Sequence, residues 1–257
     1  MGILDGKNGL IFGVANDNSI AAGIARQCRA QGATLGFTHL PGDKMERRVR
    51  KVTDPLDAAL LTPCDVSDDE QIHAVFEQAK AKLGQIDFVV HAIAFANRDD
   101  LTNPFHQTSR DGFSLALSIS AYSLVAMARE YVKVQPDGPG SMVTLTYLGS
   151  VMAVPNYNVM GVAKAALESS VRYLAWELGE KNIRVNAISA GPIRTLSAMA
   201  VGDFQEMQDH AAKKACLRRN VDQDEVGSTA AYLASDLAGG VTGEILYVDA
   251  GYNVVGL

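Results

Sequence analysis

Residues 9–38 read GLIFGVANDNSIAAGIARQCRAQGATLGFT, and their pattern decides the class of fold. Two apolar runs of strand length, residues 9–14 and 34–38, enclose a stretch in which apolar residues recur at helical spacing from Ile20 onward. Gly32 stands at the end of that stretch, where helices favour glycine. The pattern therefore predicts a strand, a helix and a second strand, with a polar turn before the helix.

The same alternation continues to the end of the chain. Further apolar runs predict strands at residues 58–61 or slightly beyond, 88–92, 142–145, 184–188 and 245–248. Amphipathic stretches predict helices at residues 68–83, 112–134, 159–180 and 224–234. Strands that are apolar throughout are typical of a parallel sheet covered by helices on both faces. Without a repeat or linker to divide it, the chain is predicted to be a single α/β domain over residues 1–257, a Rossmann-type doubly wound parallel sheet of about seven strands.

The composition excludes several classes of protein. Hydrophobic residues make up 47% of the 257 residues, which is too many for a disordered chain. The net charge is −6 and there is no basic stripe of the kind that binds nucleic acid. The three cysteines form no CxxC pair, and neither a signal-peptide pattern nor a run of about 18 apolar residues is seen. We therefore expect a cytoplasmic protein that binds no nucleic acid, membrane or metal.

The first turn between strand and helix, residues 13–23, is where an open parallel sheet binds a dinucleotide. A pyrophosphate needs a tight turn and the backbone N–H groups of a helix N-terminus. Gly13 is suited to the turn, Ser19 to the helix N-cap, and Gly23 to close packing of the helix on the sheet. The segment lacks the G-x-G-x-x-G pattern, so an ordinary capped turn explains it equally well.

The ends of the next three strands hold further candidates. Leu40 stands where many NAD sites carry an acid for the adenosine ribose, and no acid or arginine adjoins it, so the choice between NADH and NADPH is open. Asp65 is placed either to receive the adenine amine or to serve a nearby helix N-terminus. His91 follows an apolar run, which favours a buried core histidine over a catalytic one.

Two tyrosines and a lysine in residues 147–164 bear most directly on the chemistry. Short-chain dehydrogenases use Tyr-x-x-x-Lys within one helical turn, but here Met160 precedes Lys164 by four residues. Tyr157 precedes Lys164 by seven residues, two turns away, and shares its face of the helix if the helix begins that early. Tyr147 stands at the carboxyl end of the fifth predicted strand and supplies a second hydroxyl.

This displaced tyrosine suits the reduction of an enoyl thioester. In carbonyl reduction the hydride is added to the carbon that bears the oxygen. In conjugate reduction it is added to the β-carbon, while negative charge develops on the thioester oxygen, about 2.5 Å further away by ordinary bond lengths. Under this hypothesis neutral Tyr157 donates a hydrogen bond to the enolate, and Lys164, with an ordinary pKa and so charged at neutral pH, holds the nicotinamide ribose.

Five motifs carry a family resemblance that extends from about Leu4 to the C-terminus. They are SIAAGIA at 19–25, SAYSLVAMA at 120–128, YNVMGVAK at 157–164, RVNAISAGPIRTL at 184–196 and GEILYVDAG at 243–251. With them the chain resembles the bacterial enoyl-[acyl-carrier-protein] reductases of the FabI type, a divergent branch of the short-chain dehydrogenases. The resemblance implies a Rossmann-type doubly wound fold. It also implies that the protein is an enoyl reductase of type II fatty-acid synthesis. NADH is the expected cofactor, with NADPH as the alternative.

The resemblance also implies the site residues. Tyr147, Tyr157 and Lys164 match the family's catalytic positions, and Ala96 matches a substrate contact. The implied cofactor contacts are Gly13, Ser19, Ile20, Leu40, Asp65, Val66, Ile93, Lys164, Ile193, Arg194, Thr195, Leu196 and Ser197. Residues 196 to about 210 correspond to a mobile loop over the acyl chain, and the apolar Ala198, Met199, Ala200, Val201 and Phe204 suit that role. An amphipathic core helix explains the same segment as well.

The implied partners are an acyl carrier protein with an enoyl chain and further copies of this chain. The family is typically a homotetramer built on its long helices. Acyl carrier proteins are acidic, so basic side chains near the mouth of the cleft, with Arg194 and Lys213 as candidates, are expected to receive one.

Two other functions share the fold and the cofactor. An ordinary short-chain carbonyl reductase or alcohol dehydrogenase is the first, and Met160 in the usual tyrosine position argues against it. A catalytically silent dinucleotide-binding sensor is the second, and the retention of both tyrosines and Lys164 argues against that.

Overall fold

The computed structural model describes residues 1–135, 138–196, 198 and 204–256. Its centre is a seven-stranded parallel sheet in the order β3-β2-β1-β4-β5-β6-β7. The strands are β1 (Asn8–Phe12), β2 (Thr34–His39), β3 (Leu60–Pro63), β4 (Phe88–His91), β5 (Gly140–Thr146), β6 (Ile183–Ala190) and β7 (Ile245–Val248). The predicted doubly wound parallel sheet of seven strands is confirmed.

The helices in the part of the chain so described cover both faces of the sheet. They are α1 (Ile20–Ala30), α2 (Asp43–Thr53), α3 (Asp69–Leu83), α4 (Arg98–Thr102), α5 (Arg110–Leu117), α6 (Ser123–Val134), α7 (Asn158–Leu178), α8 (Phe204–Lys214) and α9 (Gln223–Ala234). Apolar side chains of α1, α2 and α9 fill the core on one face, and those of α3, α6 and α7 fill it on the other. This double burial explains why the strands are apolar throughout.

The strand order reverses between β1 and β4. The chain winds outward from β1 through β2 to β3, then returns to the other side of β1 with β4 and continues to β7. A crevice opens at such a switch point, at the carboxyl ends of the strands, and open α/β sheets bind their ligands there.

The third strand extends slightly beyond its apolar run, as its pattern allows. Residues 58–61 or slightly beyond are the predicted strand, bracketed by prolines, and β3 runs from Leu60 to Pro63 and so ends on the second proline. Because β3 is at the edge of the sheet, the missing N–H of Pro63 interrupts no internal ladder.

The predicted long helix at 112–134 is three segments in one helical stretch. A π-helical turn, Ser118–Tyr122, lies between α5 and α6. The stretch from Arg110 to Val134 is long and apolar enough to cross a membrane by length and composition, but half of its most apolar window is buried inside the fold. It packs against α3 and α7, as a core helix does.

Gly23 packs against a helix, and the expected contact with the sheet is wrong. A Cβ at Gly23 would collide with the backbone carbonyl of Gln223, the first residue of α9. A Cβ at Gly227, one turn further along α9, would collide with the carbonyl of Gly23. The two glycines therefore let α1 and α9 approach closely beside the first turn.

Candidate active site

A cavity of about 460 Å³ opens at the carboxyl ends of β1, β4, β5 and β6, beside the switch point of the sheet. It is the kind of concave, mainly apolar site that binds small molecules and cofactors. The predicted site residues that line it are Gly13, Ser19, Ile20, Ile93, Ala96, Tyr147, Tyr157, Lys164, Ile193, Thr195 and Leu196. Residues from distant parts of the sequence thus meet at one opening.

Four other predicted contacts, all among the described residues, are not in that lining. Leu40 follows β2 and is 54% exposed, and Asp65 and Val66 follow β3, so all three lie at the same carboxyl edge further along the sheet. Arg194 is exposed beside the lining residue Ile193. Ser197 lies outside the described residues.

The Asp65 carboxylate is engaged in its own turn. It accepts hydrogen bonds from the backbone N–H of Ser67 at 2.9 Å and from the Ser67 hydroxyl at 2.7 Å. The N-cap of the following helix is Asp68, which accepts from Glu70 N–H at 2.9 Å. The contact between Asp65 and adenine stays a prediction.

The first turn has the geometry that its residues predict. Gly13 has φ +99°, a backbone conformation that side chains disfavour, and a Cβ there would collide with the carbonyl of Ala92. Ser19 is the N-cap of α1: its hydroxyl accepts from Ala22 N–H at 3.3 Å and donates to the carbonyl of Asn16 at 2.7 Å. The N-terminus of α1 therefore stands at the cavity, with Ile20 and Ala21 in its wall.

Ser120 holds the loop that follows β4. Its hydroxyl accepts a hydrogen bond from Phe95 N–H at 3.0 Å and donates one to the Phe95 carbonyl at 3.1 Å. Ser120 belongs to the π-helical turn and is fully buried. Because Ile93 and Ala96 sit on that loop, the turn helps to fix the wall of the cavity.

The two tyrosines contact each other. Tyr147 follows β5, and Tyr157 is the N-cap residue of α7, which begins at Asn158. Their ring centroids are 4.9 Å apart with the planes at 68°. Gly149 makes the arrangement possible, because a Cβ there would collide with the Tyr157 ring. Met160, in the position usual for tyrosine, also lines the cavity.

Burial raises the pKa of both tyrosine hydroxyls further above neutral pH. It raises the pKa of Tyr147 to about 12, with a smaller contribution from Tyr252. It raises the pKa of Tyr157 well above its usual value, with smaller contributions from Tyr147 and Glu168. Both groups are therefore hydrogen-bond donors at neutral pH.

Lys164 is buried at the floor of the cavity, with 4% of its surface exposed. Its Nζ donates a hydrogen bond to the carbonyl of Leu145 at 2.8 Å. Burial lowers the Lys164 pKa to about 8, and the nearby Glu168 opposes that shift. The expectation of an ordinary pKa is therefore wrong: Lys164 is mainly charged at pH 7 and loses its charge as the pH rises through about 8.

His91 is a core histidine, as its sequence setting favours. Its Nδ1 lies 2.7 Å from Thr144 Oγ1 and its Nε2 lies 2.8 Å from Ser123 Oγ. The Ser123 hydroxyl also lies 2.6 Å from the carbonyl of Ile119, and the Thr144 hydroxyl lies 3.2 Å from the carbonyl of His91, so each hydroxyl has a backbone acceptor as well as a ring nitrogen within reach. Burial lowers the His91 pKa to about 3, and the charge of Lys164 adds to that effect.

The predicted covering segment, residues 196–210, is partly described. Leu196, Ala198 and residues from 204 onward are described, whereas Met199, Ala200 and Val201 lie outside the described residues. The portion from Phe204 to Lys214 is helix α8, in which Phe204 and Ala211 are the buried residues. This helix lines the cavity with Phe204 and Met207.

Helix α8 is attached to the site by two polar contacts. The Tyr147 hydroxyl lies 3.3 Å from Met207 Sδ, and Gln208 Nε2 donates to the carbonyl of Pro192 at 2.9 Å. Met207 and Leu101 of α4 are cavity residues that no motif indicates. Met207 does fall within the predicted covering segment, but nothing in the sequence around Leu101 marks it.

Within the part of the chain that the structure describes, no three His, Cys, Asp or Glu side chains are grouped as a metal site would need.

Comparisons with known proteins place this chain beside one group of enzymes. A protein-family model described as "Enoyl-(Acyl carrier protein) reductase" matches residues 13–253. The chain is similar to the enoyl-[acyl-carrier-protein] reductase [NADH] FabI of Nostoc sp. (strain PCC 7120), with 57% identity over 256 residues that make up 99% of each chain.

Solved structures agree with this likeness. The chain is similar to the Bacillus cereus enoyl-acyl carrier protein reductase with NADP+ and indole naphthyridinone, with a TM-score of 0.96, 55% identity and full coverage of both chains. It is also similar to the reductase of Anaplasma phagocytophilum in complex with NAD, with a TM-score of 0.95 and 45% identity over 100% of this chain and 97% of that one.

Proposed function

Since the chain belongs to the enoyl-[acyl-carrier-protein] reductase family, we propose that it reduces the trans-2 double bond of an enoyl thioester on acyl carrier protein, with NADH as reductant, in type II fatty-acid synthesis. The observation that carries this proposal is the pairing of Tyr147 with Tyr157 in the cavity that also holds Lys164. Met160 occupies the position four residues before Lys164 where short-chain dehydrogenases have their tyrosine, and it has no hydroxyl that could donate a proton to a carbonyl substrate.

The shape of the cavity fits a nicotinamide cofactor. It connects the N-terminus of α1, a site for a pyrophosphate, with the buried ammonium of Lys164. When bound, NADH supplies the hydride that is added to the β-carbon of the substrate. The proposed contacts around the cavity are Gly13, Ser19, Ile20, Ile93, Lys164, Ile193, Arg194, Thr195, Leu196 and Ser197. The adenosine end then extends along the sheet edge toward Leu40, Asp65 and Val66.

Tyr157 is the proposed donor to the thioester oxygen. Its hydroxyl is protonated at neutral pH and lies in a partly buried, mainly apolar setting, where a hydrogen bond to developing negative charge is strongest. Tyr147 packs edge-on against the Tyr157 ring and orients it. Lys164 holds the nicotinamide ribose hydroxyls and places a positive charge beside the forming enolate.

The acyl chain is proposed to lie against Ala96 and under the covering segment 196–210. Phe204 and Met207 present apolar surface to the cavity, which suits a hydrocarbon chain. The whole of residues 1–257 then acts as a single domain, with this segment as its cover.

We propose that the protein is a cytoplasmic homotetramer. Exposed aromatic side chains lie on the outer face of α7, where Tyr173 and Trp176 are 73% and 83% exposed. Tyr122 and Val125, near the start of α6, are also exposed. Apolar surface of this kind is typical of a face that a partner covers. The acyl carrier protein is expected at the mouth of the cavity, near Arg194 and Lys213.

The test is to measure loss of the nicotinamide absorbance with a short trans-2-enoyl thioester, with NADH and NADPH in parallel. Faster turnover with NADH is expected. A ketone and a β-ketoacyl thioester serve as comparison substrates. Faster turnover of either comparison substrate, or no turnover by folded protein that binds NADH, would contradict the proposal.

A further inference from the structure

One turn beyond Lys164 on α7 lies a buried carboxylate that the proposed chemistry does not use. Glu168 follows Lys164 by four residues, so the two side chains lie on the same face of the helix. Only 6% of Glu168 is exposed, and carboxylates are rarely buried so far without a compensating charge or hydrogen bonds. Lys164 is the cation that interacts electrostatically with this carboxylate.

The Glu168 carboxylate is held by a residue of the sheet. Thr146, the last residue of β5, donates a hydrogen bond from its hydroxyl to Glu168 Oε1 at 2.6 Å. Thr146 is itself buried, and its chain neighbours are Leu145, whose carbonyl accepts from Lys164, and Tyr147. This hydrogen bond therefore fixes Glu168 to the end of β5, between Leu145, which accepts the hydrogen bond from Lys164, and Tyr147.

The other titratable groups that face this pair come from three further places. His91 of β4 interacts electrostatically with Lys164, Tyr157 precedes α7 and interacts with Glu168, and Tyr247 of β7 also interacts with Glu168. His91 is neutral above about pH 3, and the pKa values of Tyr157 and Tyr247 are raised, chiefly by burial. Among these groups, Lys164 is the one that changes charge as the pH passes through about 8.

We propose that Glu168 and Thr146 are positioning residues for the cofactor-binding lysine: the Thr146 hydroxyl fixes the Glu168 carboxylate, and that carboxylate keeps the Lys164 ammonium charged where it meets the nicotinamide ribose. This inference rests on the role proposed above for Lys164. Neither residue touches the reacting atoms, so they act through Lys164.

The consequence is a pH dependence of cofactor affinity. The charged form of Lys164 binds the ribose hydroxyls better, so affinity for NADH falls as the pH rises through the lysine pKa, about 8. Burial lowers the pKa of Lys164, and the charge of Glu168 opposes that effect. Loss of the Glu168 charge therefore lowers the Lys164 pKa further. The fall in affinity then begins at lower pH, by about one pH unit, since a nearby opposite charge typically shifts a pKa by one unit or more.

The experiment measures NADH binding by nicotinamide fluorescence, without substrate, from about pH 6 to about pH 9. Glu168→Gln keeps the size of the side chain and an acceptor for Thr146, and it removes only the charge. Glu177→Gln is the matched control, because Glu177 lies on the same helix and is exposed. The native profile is expected in the control, and a profile displaced to lower pH is expected in Glu168→Gln.

Two further variants separate positioning from a merely structural role. Thr146→Val removes the hydroxyl, and Thr146→Ser restores it. We expect the first to displace the profile toward lower pH and the second to return it, whatever either does to the melting temperature. These variants also decide the matter if Glu168→Gln does not fold.

An unchanged pH profile in folded Glu168→Gln, or in Thr146→Val, would overturn the inference. Lys164→Ala shows which proposal has failed. If Lys164→Ala abolishes the pH dependence of NADH affinity while Glu168→Gln keeps the native dependence, only the role proposed for Glu168 is wrong. If Lys164→Ala binds NADH with the native profile, the role proposed for Lys164 is wrong and the inference fails with it. Because no substrate is present, absence of reductase turnover would count against the proposed function alone.

Discussion

In the proposed reaction, Tyr157 is the residue whose position distinguishes enoyl from carbonyl reduction. It stands one helical turn before the position that Met160 occupies, at the start of α7, and its ring meets Tyr147. Its raised pKa, chiefly an effect of burial, keeps the proton on the hydroxyl. Tyr157 is therefore a neutral hydrogen-bond donor that lies about one helical turn from the position usual for the catalytic tyrosine.

Replacement of Tyr157 by Phe removes that donor and keeps the ring. We expect kcat with an enoyl thioester to fall by about 100-fold or more, the usual contribution of a positioned acid, with little change in KM for NADH. Tyr147→Phe serves as the comparison and is expected to lose less. Equal rates for Tyr157→Phe and the native enzyme would contradict the assigned role.

Replacement of Lys164 tests a different property of the site. Lys164→Ala removes a charged hydrogen-bond donor, so KM for NADH is expected to rise by about tenfold or more, because hydrogen bonds to charged groups contribute about 1.5–3 kcal/mol. The measurement is initial-rate kinetics with NADH as the varied substrate. A variant with native KM and lower kcat would instead assign Lys164 to the chemical step.

At the scale of the elements, three places hold the site in shape: the close contact of α1 with α9, the π-helical turn before α6, and the turn before α7. The first two bring together residues that are far apart in sequence. Gly23 and Gly227 allow the first contact, Ser120 anchors the loop after β4 at the second, and Gly149 makes room for Tyr157 at the third. The elements thereby set the positions of the first turn and of both tyrosines.

Gly23→Ala is expected to destabilise the protein by about 1–3 kcal/mol, the usual cost of overpacking, because the new methyl group would collide with the carbonyl of Gln223. Gly179→Ala is the control, since a Cβ there meets nothing within 4 Å and its φ is −58°. Denaturant unfolding of both variants measures the difference. Equal stability of Gly23→Ala and the control would show that α1 and α9 adjust without cost.

His91 connects β4, β5 and the beginning of α6, and its environment makes stability depend on pH. The folded-state pKa, about 3, is below the ordinary value of 6.5, so the unfolded chain binds more protons between these two values. By linkage, the stabilisation from neutral His91 is complete above about pH 6.5 and is lost as the pH falls toward 3.

His91→Gln removes this titration and is expected to have lower stability at pH 7 but a smaller loss between about pH 7 and pH 5. The measurement is the free energy of unfolding of both proteins at the two pH values, with His106→Gln, on an exposed residue, as the control. A loss in His91→Gln as large as in the native protein would show that other groups account for the pH effect.

At the scale of the whole molecule, the outer face of α7 is the surface on which the proposed tetramer depends. Trp176 is the single tryptophan and is 83% exposed in the isolated chain, next to the exposed Tyr173 one turn away. A large aromatic surface of this kind is costly to leave in water.

The double variant Tyr173→Asp and Trp176→Asp is expected to sediment as a smaller species than the native protein, because the charges would have to be buried at the interface. Glu177→Gln on the same helix is the control. A native sedimentation coefficient in the double variant would place the interface elsewhere.

Much of this architecture follows from local pattern. The seven strands and most of the longer helices are predictable because apolar periodicity records which faces are buried. Helix α2 is not among those predicted, and β3 ends on Pro63, which the edge of the sheet tolerates. Short motifs likewise indicate Ser19, Tyr147, Tyr157 and Lys164, since a cap or a helical spacing is a property of neighbouring residues. The family resemblance extends that list to further residues of the cavity wall, but not to Leu101.

Other features depend on contacts between distant segments, and no local pattern records them. Tyr147 meets Met207 across 60 residues of chain, and Thr146 meets Glu168 across 22. The contact of Gly23 with α9 joins the two ends of the domain. The lowered pKa of Lys164 is of the same kind, because it arises from burial by surrounding elements rather than from the lysine's neighbours in sequence. Packing in three dimensions sets these distances and this burial, and with them the chemistry of the site.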